Sequence, residues 1–242
     1  MRVCSISHKA CWRDHEGRWF TDGGFPAQIH YIHSLFTECD LLITERKEPG
    51  HGTPLPTDMT VIPLRRSTGW KWWRRLAFML RLPGNLLRML PHMLRADVVH
   101  VMCPGDIEMA AICLAMLLGK RSIFTYQASW DNPDLHARMV RRVLLRYARR
   151  RHVVKLVGEG YLLPRPDFHF LFATAITAAG AQAIPPRVDP RGRNPFRLIS
   201  AGRLSREKGL DLLVDALGLL QCRLRKESRI EEMPHLAQHV RR

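Results

Sequence analysis

Phe196 to Leu220 reads FRLISAGRLSREKGLDLLVDALGLL. The apolar run Leu198-Ile199-Ser200-Ala201 ends at Gly202, and Arg203 and Lys208 flank a polar turn closed by Gly209. From Leu210 the apolar residues fall at 210, 213, 214, 217 and 220, the spacing of one helical face. The stretch predicts a strand, a glycine-containing turn and a helix, with cations where the strand hands over to the helix. In a parallel α/β sheet, ligands bind outside the carboxyl ends of the strands, and a helix N-terminus there favours anions. A diphosphate suits that place.

Upstream of this stretch, strand-like and helix-like segments alternate. Arg2 to Ser7 reads as a first strand, followed by a polar loop with Asp22-Gly23-Gly24 and a helix marked by Phe25, Ile29, Ile32 and Phe36. Strands are expected at Asp40 to Thr44, Met59 to Leu64, Asp97 to Met102, Arg121 to Gln127 and His152 to Val157. Helices are expected over Trp70 to Leu94, broken at Pro83-Gly84, from about Asp106 through Leu118, and over Leu135 to Arg151. Repeated βα units argue for an α/β, Rossmann-like doubly wound parallel sheet. The Gly23-Gly24 pair follows the first strand and opens the first helix, so backbone amides there can approach a ligand without side-chain obstruction.

These residues carry a resemblance. GRLSREKGLDLLVDAL resembles the opening of the donor-binding domain in retaining glycosyltransferases of the GT-B fold, family 4. The resemblance implies a GT-B N-terminal, acceptor-side domain over 1–190 and the truncated beginning of a nucleotide-sugar-binding domain over 191–242. It implies that Gly202, Arg203 and Lys208 contact the donor diphosphate, and that Gly23 and Gly24 line the facing wall of the cleft. The implied reaction moves a sugar from a nucleotide-diphosphate donor to a saccharide or lipid-linked acceptor with retention. No cofactor and no metal is called for, because two cations neutralise the leaving group.

The sequence departs from that family in two places. Many members carry a histidine after the strand matching Ser122 to Tyr126, where this chain has Gln127. After Leu220 the acids do not fit an E-x7-E spacing, since His235 follows Glu227 and His239 follows Glu231 at that interval. A chain cut short, or a shifted reading frame near residue 221, is the expected cause, and donor binding is then expected to be weak.

Charge is concentrated in two segments. Lys and Arg outnumber Asp and Glu by 38 to 22. Arg65 to Arg95 and Arg138 to Lys155 contain eight basic residues each and no acid, which accounts for the whole excess. In the first segment Trp70, Trp72, Trp73 and Phe78 mix with Lys71, Arg74, Arg75 and Arg81, a pattern suited to an anionic bilayer surface. The other reading is an apolar side packed on the sheet with a solvated cationic face, and both stay open at this point. In the second segment Met139, Val143, Leu144 and Tyr147 form a stripe expected to face the core. No nucleic-acid reader motif is found and no nucleic-acid partner is expected, although a non-enzymatic basic binding protein, for nucleic acid or an anionic membrane surface, is the alternative class. Six scattered cysteines without a C-x-x-C pair read as reduced thiols in a cytoplasmic protein, peripheral at most to the inner face of a membrane. His30 and His33 are read as ordinary helix residues and His100 as a core histidine.

Overall fold

A computed structural model describes residues 1–46, 48, 50–67, 71–128, 130, 134–148, 151–157, 163, 165–171, 182–183 and 212–221. The chain forms two compact units, Met1–Ile184 and Pro185–Arg242. In the second unit a helix is described over 212–221, and all of its residues are exposed.

The first unit is built on a mixed, mostly parallel sheet. Its strands are β1 (Arg2–Arg13), β2 (Trp19–Thr21), β3 (Glu38–Glu45), β4 (Thr53–Pro54) and β5 (Thr60–Arg65). After these come β6 (Val98–Cys103), β7 (Arg121–Tyr126), β8 (His152–Val157) and β9 (Phe168–Leu171). The parallel strands lie in the order β5-β3-β1-β6-β7-β8-β9, and β2 and β4 add antiparallel to the far end of β1. The order runs outward from β1 in both directions, so the chain reverses its path across the sheet between β1 and β6. That reversal is the topological switch point of a doubly wound sheet.

The central strands are buried on both faces because helices cover both. β6 is buried along its whole length. On one face Cys4, Ile6, Val99, Val101, Phe124 and Tyr126 pack under helices α2 (Lys71–Arg95), α3 (Asp106–Leu117) and α4 (Leu135–Tyr147). On the other, Leu41, Ile43 and Met102 pack with Phe25 and Ile29 of α1 (Phe25–His33). α3 is apolar almost all round, as a helix laid centrally on a sheet requires.

Several expectations are revised by the structure. β1 runs on to Arg13 instead of ending at Ser7, because its second half forms an antiparallel arm with β2. The strands β4 and β9 are too short or too polar to stand out in the sequence. α2 is one helix of 25 residues with Pro83 and Pro91 inside it, not two pieces. Each proline removes one backbone bond, but Met79 and Leu87, whose carbonyls lose it, lie on the exposed side where water substitutes. Burial of Asn85, Met89 and Met93 on the opposite side holds the helix to the sheet. Asn85 also closes the sheet margin: its amide accepts from Arg65 N–H (2.9 Å) and donates to Arg65 C=O (3.1 Å). On α4 the buried stripe is Ala137, Val140 and Leu144, while Met139 is exposed.

Candidate functional site

β1 and β6 pair in parallel at the switch point, where a doubly wound sheet forms its ligand crevice; three segments follow those strands or open the helices after them. The first is a bulge in β1. Ser7 pairs with Ile43 and Ala10 with Thr44, so His8 and Lys9 have no partners on β3. The Thr44 hydroxyl is shared between the carbonyls of His8 (3.0 Å) and Lys9 (2.9 Å), and Thr44 itself is buried. Two extra residues are thereby fixed in one shape, with the His8 ring pointing off the strand.

The second loop carries Asp22, Gly23 and Gly24. Gly23 has φ +70°, a left-handed conformation that a side chain disfavours. Its carbonyl accepts from Thr53 Oγ1 (3.3 Å), and Asp22 lies 3.6 Å from Arg46, whose guanidinium stacks over Trp12. Gly24 is the N-cap of α1 and no side chain caps that helix, so its first N–H groups are left without a side-chain acceptor. Pro26 occupies the first turn, where its missing N–H costs nothing.

The third loop is Pro104-Gly105, leading into α3. Gly105, not Asp106, is the N-cap, again without a side-chain cap. Asp106 and Glu108 instead fall in the first turn, where acids complement the helix dipole. A Cβ on Gly105 would collide with the Glu108 carboxylate and sit 2.9 Å from His8 Nδ1. The glycine lets the carboxylate pass.

Glu108 is fully buried, and one of its oxygens, Oε1, accepts from both the His8 backbone N–H and His8 Nδ1, the latter at 2.5 Å. The other oxygen, Oε2, is buried without a hydrogen-bond partner. The hydrogen bond to Glu108 raises the His8 pKa above the ordinary histidine value, against the lowering effect of partial burial. A second imidazole–carboxylate couple joins His136 Nδ1 to Asp106 (3.4 Å), and His136 Nε2 is buried without a partner.

Behind the crevice a chain of polar groups crosses the core. His33 Nε2 lies 2.9 Å from Ser5 Oγ, Ser5 Oγ 3.3 Å from His100 Nδ1, and His100 Nε2 3.1 Å from Thr125 Oγ1. One direction of donation satisfies it: His33 Nε2–H to Ser5, the Ser5 hydroxyl to His100 Nδ1, and His100 Nε2–H to Thr125. His33 Nδ1, which has no partner, then carries a lone pair and not an N–H. Burial lowers the pKa of His100 to about 3 and of His33 to about 4, so both are neutral. His100 is thus a core histidine, and His33 does more than fill a helix position.

Of the sequence-derived site residues, Gly23 and Gly24 form the loop that opens α1, and Gly202, Arg203 and Lys208 lie outside the described residues. His8 and Glu108 went unread in the sequence. A polar Ser-His-Lys run ending the first strand, and an acid just after a Pro-Gly turn, were the signals present. Among the described residues no cluster of three or more His, Cys, Asp or Glu could hold a metal ion, and no helix is long and apolar enough to cross a membrane. Compared with protein-family models and with curated proteins, the chain matches none.

Proposed function

We propose that the protein is a glycosyltransferase of the GT-B class, moving a sugar from a nucleotide-diphosphate donor to a saccharide or lipid-linked acceptor with retention. The observation that supports this most is the β1/β6 switch point of a parallel sheet, in the same unit as the uncapped α1 that Gly23 and Gly24 open. In a parallel sheet that is where a ligand binds, and the GRLSREKG sequence carries cations suited to a diphosphate. Arg203 and Lys208 neutralise the charge growing on the departing diphosphate, and Gly202 lets the backbone approach it. Calorimetric titration with UDP- and GDP-sugars tests the reading. Loss of a cation bonded to phosphate costs about tenfold or more in affinity, so Lys208→Ala and Arg203→Ala should each weaken binding by that factor. Equal heats from wild type and variants would end the assignment.

One observation favours a lipid surface as the place of action. In the first half of α2, Trp72, Trp73, Leu76, Met79 and Leu80 are exposed beside exposed Arg74 and Arg75, and the two indoles stack at 3.9 Å. The second half packs on the sheet, so both readings of this basic segment have a share of the helix. Apolar rings with neighbouring cations suit the inner, anionic face of a membrane. Sedimentation with phosphatidylglycerol vesicles should carry the wild type down, and Trp72→Ser with Trp73→Ser should abolish it. Equal sedimentation with phosphatidylcholine vesicles would refute the anionic-surface reading, and salt-sensitive retention by RNA or DNA alone would favour the non-enzymatic alternative.

A further inference from the structure

We propose that His8 and Glu108 form a hydroxyl-recognising couple, in which His8 Nε2 contacts a hydroxyl group of a neutral polyol bound in the crevice. The identification of that polyol as a saccharide acceptor rests on the glycosyltransferase reading; the recognition of a hydroxyl does not.

Three observations carry the proposal. The His8 ring is fixed on every side but one. Its backbone N–H and Nδ1 both bond to Glu108, and its carbonyl and that of Lys9 are held by Thr44. With Nδ1 committed to a carboxylate, which only accepts, the neutral ring carries its lone pair on Nε2. The side chain is 49% exposed, and Nε2 is not among the buried atoms that lack a partner.

The second observation is the cost of Glu108. Its side chain is fully buried, and Oε2 has no hydrogen-bond partner. Burying a carboxylate incompletely satisfied is expensive, and an apolar residue would pack the same place more cheaply. Pinning the bulge needs only one acceptor, which a neutral amide also provides. A carboxylate adds control of the tautomer and orientation of the imidazole, and Gly105 is shaped to admit it.

The third is the charge around the ring. Glu108 and Asp106 face His8 from α3, and Lys9 from its own strand. The His136–Asp106 couple, set two residues before Glu108 on α3, repeats the same chemistry. Two acids facing the ring repel an anion, whereas imidazole–carboxylate couples donate to and accept from hydroxyl groups.

Nitrogen-15 labelling of the histidines tests this in the intact chain. The imidazole spectra should show His8 with its proton on Nδ1 and titrating above the ordinary histidine range. Glu108→Gln should bring that titration down and mix the tautomers. Methyl glucoside and methyl mannoside should shift His8 Nε2, and Glu108→Gln or His8→Gln should weaken that binding by about tenfold. Because Glu108 is buried and its variant risks misfolding, the half-exposed His8→Gln decides the affinity arm. Glycosides that leave His8 unmoved would overturn the proposal, and so would inorganic phosphate shifting it in their place. Glycoside binding without any nucleotide-sugar binding would retain the couple and remove the glycosyltransferase reading. The converse result would remove the couple alone.

Discussion

Acidification from pH 7 to about pH 5 should strip roughly 4 kcal/mol from the stability of the first unit, through His33 and His100. Both rings are buried, with exposures of 2% and 0%, and their pKa values fall from 6.5 to about 4 and about 3. Burial is the main cause for each. Asp58 and Asp40 partly offset it at His33, while Lys155 and the neighbouring His33 add to it at His100. A base with a lowered folded pKa is protonated more readily in the unfolded chain. The stability it contributes is therefore complete above about 6.5 and declines as the pH falls toward the folded value. At pH 5 each histidine is about 1.5 units below its unfolded value, which amounts to about 2 kcal/mol apiece at about 1.4 kcal/mol per unit. Against a total of about 5 to 15 kcal/mol for a domain, that is a large fraction. His8 acts in the opposite sense, since its raised pKa contributes stability at low pH that fades as pH rises through its folded value. It cannot be the source of an acid loss. Urea unfolding followed by far-ultraviolet circular dichroism at the two pH values measures the difference. Proton spectra of the imidazoles, recorded alongside, should show His100 uncharged at pH 5. An unchanged midpoint, or a His100 signal titrating near 6.5, would refute the argument.

Three further perturbations follow from the geometry. Gly105→Ala should destabilise the protein by about 1 to 3 kcal/mol in thermal melts, because its methyl group must displace Glu108. The same variant should return the His8 titration toward the ordinary value. Gly23→Ala should cost about 1 kcal/mol, since the space is open but the φ of +70° is strained for alanine. Asn85→Ala leaves the Arg65 N–H and C=O without their side-chain partner and should cost about 1 to 3 kcal/mol in urea unfolding.

The parallel core was legible because its signals are local. β6 is a run of Val, Val, His, Val, Met and Cys bounded by Asp97 and Pro104-Gly105, and no other reading of it competes. Helix α1 was visible from the spacing of Phe25 and Ile29 and from the Gly-Gly before it. The arm formed by β1, β2 and β4 was not legible, since Arg13, Asp14, Glu16 and Arg18 make the segment look like solvated loop. Its stability comes from contacts invisible in one dimension, such as Trp12 stacking on Phe20 and arginines lying over Trp12 and Trp19. The unbroken α2 was missed for a related reason: proline propensity is local, whereas the anchoring of Asn85, Met89 and Met93 is tertiary. The Gly23-Gly24 turn before α1 was legible, and Gly23 takes the left-handed φ that its residue type permits, but His8 and Glu108 lie 100 positions apart. Only the adjacency of β1 and β6 brings them together.

The amide of Asn85 matters beyond the molecule in which it sits. β5 is the last strand on its side, and a bare strand margin is a template onto which another chain can add. By occupying both hydrogen-bonding positions of Arg65, Asn85 stands in for the neighbour that a second molecule would otherwise supply. Its loss would then show not only as weaker folding but as concentration-dependent oligomers, the lateral growth of one sheet into another.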